Sequence, residues 1–446
     1  MIHYIKIKNF GPYRDEVDMN FETVGSGDDF SDYIVTMPDK RQLLKLAYIY
    51  GPNASGKTTV LKAFEFLRKV FLSPLTDKSG SLPFEPFLFE EAPYGKSSVI
   101  ELSFYVGGIR YVYEMYFGKE SVSEEKLFFY KSAKPTELFS RTTNMEKRLA
   151  KLSFGNRIKI GARDIDLLES HTLHNNTVFG AYSKANVDIP ELELLNKWFS
   201  EFLMGMVTSA NDLTEYTSRL IESNEDAKQW INTLMNKADR QLAGVNVFDR
   251  YTLVPSQEEY NPYSIDKMRI RIPLLAQPNS SIFKARVGRG YGSGVTERKI
   301  DFVHRLDNNN SYELPIQAES SGTKRYFGLG GLLYELTHSA HFLCIDELET
   351  SLHPDLMLYF LQAFLLNAKN SQLLITTHNQ MIMENTDFMR RDALWFSEKN
   401  RDGSASLYSA ADFDSAVLRK DASVINAYRS GKLGGKPNLG SPFLPE

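Results

Sequence analysis

Gly51-Pro52-Asn53-Ala54-Ser55-Gly56-Lys57-Thr58 decides how this chain is read. The run fits the phosphate-loop pattern G-x-x-x-x-G-K-[ST]. Leu46 to Tyr50 precede it as a short apolar, strand-like run, and Val60, Leu61, Phe64, Leu67 and Phe71 follow with helical spacing. Two glycines let the backbone curl so that successive N–H groups point inward. The helix that follows adds the positive end of its dipole and its unpaired N–H groups. Residues Gly51 to Thr59 are therefore the expected binding element for ATP. Lys57 is expected to bridge the β- and γ-phosphates, and the Thr58 hydroxyl to be a ligand of Mg2+. A chance match in a glycine-rich turn is the plain alternative, and the flanking strand and helix argue against it.

The chain of 446 residues can bury a large core, with two or three subdomains expected. Its 42% hydrophobic and 24% charged content is that of an ordinary globular protein. A net charge of -4 gives no whole-chain pull toward nucleic acid. Cys344 is the only cysteine, which excludes an internal disulfide and fits a reducing interior. No apolar run approaches the ~20 residues of a membrane helix. The alternating start, Met1 to Lys8, reads as a strand and not as a signal peptide. A cytoplasmic protein without a membrane partner is expected.

Further along, His341-Phe342-Leu343-Cys344-Ile345-Asp346-Glu347 is an apolar strand ending in two acids. Such a strand puts Asp346 at the sheet edge, able to hold Mg2+ through water, and Glu347 where it can polarise an attacking water. A core strand running into an acidic turn is the alternative, and the phosphate loop weighs against it. A second strand, Leu373 to Thr377, ends in His378, which could sense a γ-phosphate through a hydrogen bond. Taken alone, it reads better as a satisfied histidine at a sheet edge. Glu319-Ser320-Ser321-Gly322-Thr323-Lys324-Arg325 opens another helix whose N-terminus suits an anion. In isolation, a plain capped helix start is the stronger reading.

In order and spacing, these pieces resemble the ABC-class ATPases. The likeness is to the branch containing RecF, the structural-maintenance-of-chromosomes heads and the OLD-type proteins. The opening Ile7 to Tyr13 resembles that branch's first strand. The tail Tyr428 to Pro437 resembles the ending of stand-alone bacterial AAA-type ATP-binding proteins of anti-phage defence systems. The resemblance implies two heads that dimerise head to tail around two ATP molecules. Ser321 and Gly322 would contact the partner's nucleotide. Asp346 would be the magnesium acid, Glu347 the catalytic base and His378 the switch, with Ser351 and Leu352 in a loop crossing the interface. The sequence departs from the family at two places. The signature is Ser-Ser-Gly-Thr in place of Leu-Ser-Gly-Gly-Gln. No glutamine loop is found, and Pro83 to Phe89, roughly in its place, offers none.

The expected fold is α/β: a P-loop ATPase head of ABC type with a mixed central sheet, an antiparallel β subdomain and a compact helical insertion. The linear division is 1–150 for the lobe with the phosphate loop, 151–260 for a mainly helical insertion, and 261–446 for the lobe with the remaining motifs. Ile100 to Phe117 reads as two strands around Gly107-Gly108, and Val122 to Lys131 as another. Helices are expected over Glu191–Met206, Asp212–Ser223 and Glu225–Leu242, too short for a coiled-coil arm. Lys267, Arg269 and Arg271, then Lys284, Arg286 and Arg289, read as a solvated strand face and hairpin tip in preference to a nucleic-acid edge. OLD-type nucleases carry a metal-binding Toprim nuclease domain after the ATPase. The chain ends at Glu446, soon after Pro437, so no nuclease activity is expected within it.

Three functions follow as expectations. One is an ATP-driven switch, a homodimer or higher homo-oligomer, controlling a separately encoded toxin or nuclease. Another is a DNA-repair ATPase of the RecF kind. The last is a nucleotide-bound scaffold storing an effector on the helical insertion around Trp198.

Overall fold

A computed structural model of the chain describes residues 1–25, 30–253, 294–308, 310–385, 389–414, 418, 423–437 and 440–441. The basic stretch from Lys267 to Arg289 lies outside the described residues. In chain order the elements begin with β1 (Ile2–Lys8), β2 (Val17–Asn20), β3 (Ile34–Thr36), β4 (Gln42–Leu44), β5 (Leu46–Tyr50) and α1 (Lys57–Leu72). Next come β6 (Ser98–Val106), β7 (Ile109–Phe117), β8 (Val122–Tyr130), β9 (Thr136–Asn144) and β10 (Leu149–Phe154). Helices α2 (Ala162–His171), α3 (Val178–Tyr182), α4 (Pro190–Phe202), α5 (Thr214–Ser223) and α6 (Glu225–Ala238) follow. After them come β11 (Leu242–Leu253), β12 (Gly294–Arg305), β13 (Ser311–Pro315) and α7 (Ser321–His338). The chain then forms β14 (Phe342–Ile345), α8 (Pro354–Asn367), β15 (Gln372–Thr376), α9 (Met381–Glu384), β16 (Leu394–Lys399), β17 (Ala405–Ser409) and α10 (Val424–Arg429).

These elements form two compact units. The first comprises Met1–Thr208, Ser339–Leu348 and Leu365–Glu446, and the second Ser209–His338 and Glu349–Phe364. The units cut across the linear division at residues 150 and 260, because the central sheet collects strands from distant parts of the chain.

In the first unit that sheet has the order β14-β15-β5-β16-β17, parallel except for β17. Its inner strands read as continuous apolar runs, as strands covered on both faces must. All five residues of β5 are buried. The antiparallel sheet has the order β10-β9-β8-β7-β6-β1-β2. Helix α1 is buried between the two. On one side Phe64 meets Phe342 of β14, ring centres 4.5 Å apart. On the other, Phe66 stacks on Phe117 at 5.0 Å and Phe71 meets Tyr113 edge-on at 5.1 Å, both on β7. Aromatic residues on two faces of one helix are what this sandwich needs, and they anchor the phosphate loop at the N-terminus of α1.

The helix read as Glu191–Met206 stops at Phe202. Leu203 to Val207 continues as extended chain beside β14, pairing in parallel at Leu203–Phe342 and Val207–Ile345. Arg68 Nε of α1 donates to Leu203 O at 3.0 Å, and Glu65 accepts Met206 N at 3.2 Å. Those tertiary bonds outweigh the apolar pattern that suggested more helix. Trp198 is also placed differently from expectation: its ring stacks on Phe104 at 4.9 Å and on Phe202 at 4.6 Å, inside the first unit.

In the second unit, α5 and α6 pack against α7, and β11-β12-β13 form an antiparallel sheet. Phe302 of β12 meets Phe327 of α7 at 5.4 Å. The helix read as Glu225–Leu242 ends at Ala238, and Leu242 starts β11. Among the described residues no helix is long and apolar enough to cross a membrane.

Candidate functional site

The phosphate loop leaves β5 at Tyr50 and enters α1 at Lys57. Ala54 and Gly56 have left-handed backbone, with φ of 60° and 106°. Such residues interleaved in a short loop turn amides toward one concavity. Gly51 allows no side chain: a Cβ there would lie 2.2 Å from Ser397 O and 2.6 Å from Ser55 Oγ. The outside of the loop is held by Tyr13. Its hydroxyl donates to Gly56 O at 3.2 Å and pairs with Ser397 Oγ at 3.0 Å, while Ser397 Oγ donates to Ser55 O at 2.6 Å. Burial holds the Tyr13 phenol neutral by pushing its pKa up.

Lys57 is 6% exposed, and its ammonium donates to Gly51 O at 2.9 Å and Pro52 O at 3.0 Å. A buried ammonium held by loop carbonyls is poised for an anion. Ser55 Oγ is buried and makes no hydrogen bond. That orphaned hydroxyl, the amide-lined bend and the Lys57 ammonium fit a polyphosphate.

Asp346 sits just past β14. The Thr58 hydroxyl donates to its Oδ1 at 3.0 Å and Oδ2 at 3.1 Å, so the two residues expected around Mg2+ are in direct contact. A hydroxyl and a carboxylate at this spacing are oxygen donors of the type Mg2+ takes. Thr376, the last residue of β15, completes the arrangement. Its Oγ1 donates to Asp346 Oδ1 at 2.6 Å and accepts the Glu347 N–H at 2.8 Å. The Glu347 backbone is left-handed, φ 51°, and its side chain is exposed. From the other side, Val207 O accepts Asp346 N at 2.8 Å. The carboxyl ends of β5, β14, β15 and the Leu203–Val207 segment thus converge on one place, where ligands of open α/β sheets bind.

His378 follows Thr377, which is buried and whose amide bonds Ile49 O at 3.2 Å. The imidazole is exposed. Asn9 and Phe10 are buried. Asn9 Oδ1 accepts Phe87 N at 3.0 Å, and Phe10 stacks on Phe84 at 5.6 Å. Arg14 pairs on the surface with Asp15 and Asp402. Phe84 and Phe87, roughly where a glutamine loop would lie, are core residues.

The second unit holds the other predicted residues. Ser320 caps α7, its Oγ accepting Thr323 N at 3.0 Å, which leaves Ser321 exposed at the helix start. A Cβ on Gly322 would lie 3.0 Å from Ser351 O. A cleft of about 480 Å³ opens here, lined among others by Asn211, Ser321, Lys324, Arg325 and Ser351. Arg325 Nη1 donates to Asn211 O at 3.3 Å, while its Nε and Nη2 are buried without a partner. Burial lowers the pKa of this guanidinium.

Thr376 and Arg325 were not singled out from the sequence. Thr376 looks like one more β-branched strand residue, and only its register beside Asp346 sets it apart.

No curated protein matches the chain. Among solved structures, the SMC head domain from Thermotoga maritima is 15% identical, covers 92% of this chain and 98% of its own, and has a TM-score of 0.38. An Smc head bound to the C-winged helix domain of ScpA is 14% identical, covers 92% and 97%, and scores 0.42. An Smc head with an extended coiled coil, bound to the C-terminal domain of ScpA derived from Pyrococcus furiosus, is 13% identical, covers 92% and 96%, and scores 0.36. Residues 46–384, which contain the phosphate loop, Asp346 and Thr376, match the family described as "AAA domain, putative AbiEii toxin, Type IV TA system", and the chain belongs to that family.

Proposed function

We propose that this protein is an ATP-hydrolysing switch that closes with a second copy of itself around nucleotide and controls a separate effector protein in defence against phage. The hydrogen-bonded chain Thr58–Asp346–Thr376–Glu347 carries the reading. It ties the phosphate loop to the acidic strand end and to the exposed carboxylate beyond it. A family description naming a putative toxin of a type IV toxin–antitoxin system supports the two-component part.

Thr58 and Asp346 would hold Mg2+, which when bound neutralises charge between the β- and γ-phosphates. Lys57 would exchange its two loop carbonyls for phosphate oxygens. Glu347, exposed and next in line, would accept a proton from the attacking water. His378 would report the state of the γ-phosphate. Ser321, Gly322, Lys324 and Arg325 of the partner copy would seal the nucleotide, and the two unmade N–H bonds of Arg325 suit an anionic group.

The test is purified Glu347→Gln. It should hold ATP and dimerise while turnover falls by about 100-fold or more. Undiminished turnover would remove Glu347 from the role of base. A Lys57→Ala variant should lose ATP binding, and retained affinity would reject the site itself.

A further inference from the structure

Resting on the hydrolytic reading above, we propose that the segment from Val424 to Pro437 is a clasp that positions the turn carrying His378, with Arg429 and Tyr50 as positioning residues for hydrolysis.

The turn Thr377–Gln380 is anchored from three directions. Thr377 N bonds Ile49 O, and Thr377 Oγ1 accepts Asn379 N at 3.0 Å. Tyr50, the last residue before the phosphate loop, donates its hydroxyl to Asn379 O at 2.7 Å. His378 lies between these two fixed points. The third anchor comes from the far end of the chain. Arg429 Nε donates to Gln380 Oε1 at 3.1 Å, and its Nη2 pairs with Glu384 on α9. The planar guanidinium thus holds the turn and the following helix with one rigid fork.

The tail is itself locked in place. Tyr428 stacks on Phe396 at 5.7 Å and 17°, and lies 6.3 Å from Tyr50. Its hydroxyl donates to Gly435 O at 3.2 Å. Lys436 Nζ returns to Arg429 O at 2.7 Å, closing the loop on its own helix. Tyr408 donates to Leu433 O at 3.0 Å. Gly434 has φ +65°, and a Cβ there would lie 2.2 Å from Tyr408 Oη and 2.6 Å from Glu398 Oε2. The glycine is demanded by the closeness of the docking. Nothing in α10 or the tail belongs to the proposed phosphate or magnesium set. Its contacts instead reach the P-loop strand at Tyr50 and the switch turn at Gln380. A single exposed imidazole can report a phosphate only if its backbone is held still, and a misplacement of about 1 Å at a reacting centre costs on the order of 100-fold in rate.

The experiment compares wild type with Arg429→Ala, Arg429→Lys and Gly434→Ala. It measures ATP affinity, kcat, melting temperature and amide hydrogen exchange over residues 377–384. The Arg429–Glu384 pair is exposed, so its loss should leave the fold intact. Arg429→Ala and Gly434→Ala should keep the ATP Kd within about twofold, lower kcat by about tenfold or more, and quicken exchange in the turn; Arg429→Lys should recover part of kcat. Unchanged kcat, or a fall in kcat without faster exchange in the turn, overturns the clasp. So does a fall of kcat, affinity and melting temperature together, which marks a merely structural tail. If the wild-type protein binds ATP without turnover, the hydrolytic reading fails by itself. Exchange then decides the clasp: unaltered exchange in Arg429→Ala rejects it, and faster exchange retains it.

Discussion

Thr376 Oγ1 lies 2.6 Å from Asp346 Oδ1, and through that one hydroxyl β15 grips the acid beside the phosphate loop. The same oxygen accepts the Glu347 amide at 2.8 Å, so a fully buried threonine fixes both acidic residues. Thr376→Val keeps the shape and removes the hydroxyl. Glu347 N–H loses its acceptor, which should lower stability by about 1–3 kcal/mol. ATP affinity should change little, because the loop and Lys57 are untouched, whereas kcat should fall by about tenfold or more. Thr376→Ser should restore both. Denaturant melts and steady-state kinetics on the pair provide the check. A Thr376→Val protein with normal kcat would show that the bridge is structural only.

The phosphate loop was legible because its chemistry demands particular residues at fixed spacing. Asp346 and Glu347 were legible because a buried apolar strand ends in two acids and the phosphate loop gives such a strand end a purpose. Thr376 was hidden because threonine is an ordinary strand former, and its role comes from parallel pairing between β14 and β15, whose residues lie 30 apart in sequence. The stretch Leu203–Val207 was hidden for the opposite reason. It continues an apolar pattern with no proline to break it; Gly205 weakens the helix there, and the open edge of β14 and the bonds from Arg68 and Glu65 draw the stretch out of it. The aromatic sandwich around α1 was half visible: the helix face was readable, but not which sheet each ring would meet.

The cleft at the start of α7 offers a test of closure. Ser321 is exposed there, and Arg325 has two unmade donors. Ser321→Arg should block the ATP-dependent dimer while leaving ATP binding by each copy within about twofold. Arg325→Leu should weaken closure, and because a buried guanidinium with unmade bonds is costly, it should not lower stability by more than about 1 kcal/mol. Light scattering with and without ATP, in the Glu347→Gln background, reads the outcome. A full dimer in Ser321→Arg would move the contact elsewhere.

Two buried histidines predict acid sensitivity. His174 is 2% exposed, neither ring nitrogen has a hydrogen-bond partner, and burial followed by the charges of Arg148 and Arg141 lowers its pKa below the ordinary 6.5. His3 is lowered as well, chiefly by burial, although Glu22 at 2.8 Å opposes this. With the folded pKa below the unfolded one, the unfolded chain binds more protons in the interval between them. The contribution of these two histidines is therefore fully present above pH 6.5 and is lost as the pH falls below it. A double variant, His3→Gln with His174→Gln, should flatten the fall in melting temperature as the pH drops below about 6.5. An unchanged slope would assign the acid sensitivity to other groups.

Glu347 carries backbone strain as well as its proposed role as base. Its φ of 51° is a left-handed conformation that a residue with a Cβ rarely adopts. The Thr376 hydroxyl and the parallel strands impose it, and the result is an exposed carboxylate at the end of β14. Strain of this kind tends to be kept where function needs it. Replacing Glu347 with alanine removes the carboxylate and keeps the strain, while glycine removes both. Glu347→Gly should therefore be more stable than Glu347→Ala by about 1 kcal/mol, against the usual order for these two residues. Both should lose turnover alike. Thermal melts of the two variants decide the point: if alanine is the more stable, the backbone has relaxed and the left-handed turn is not required by the strands around it.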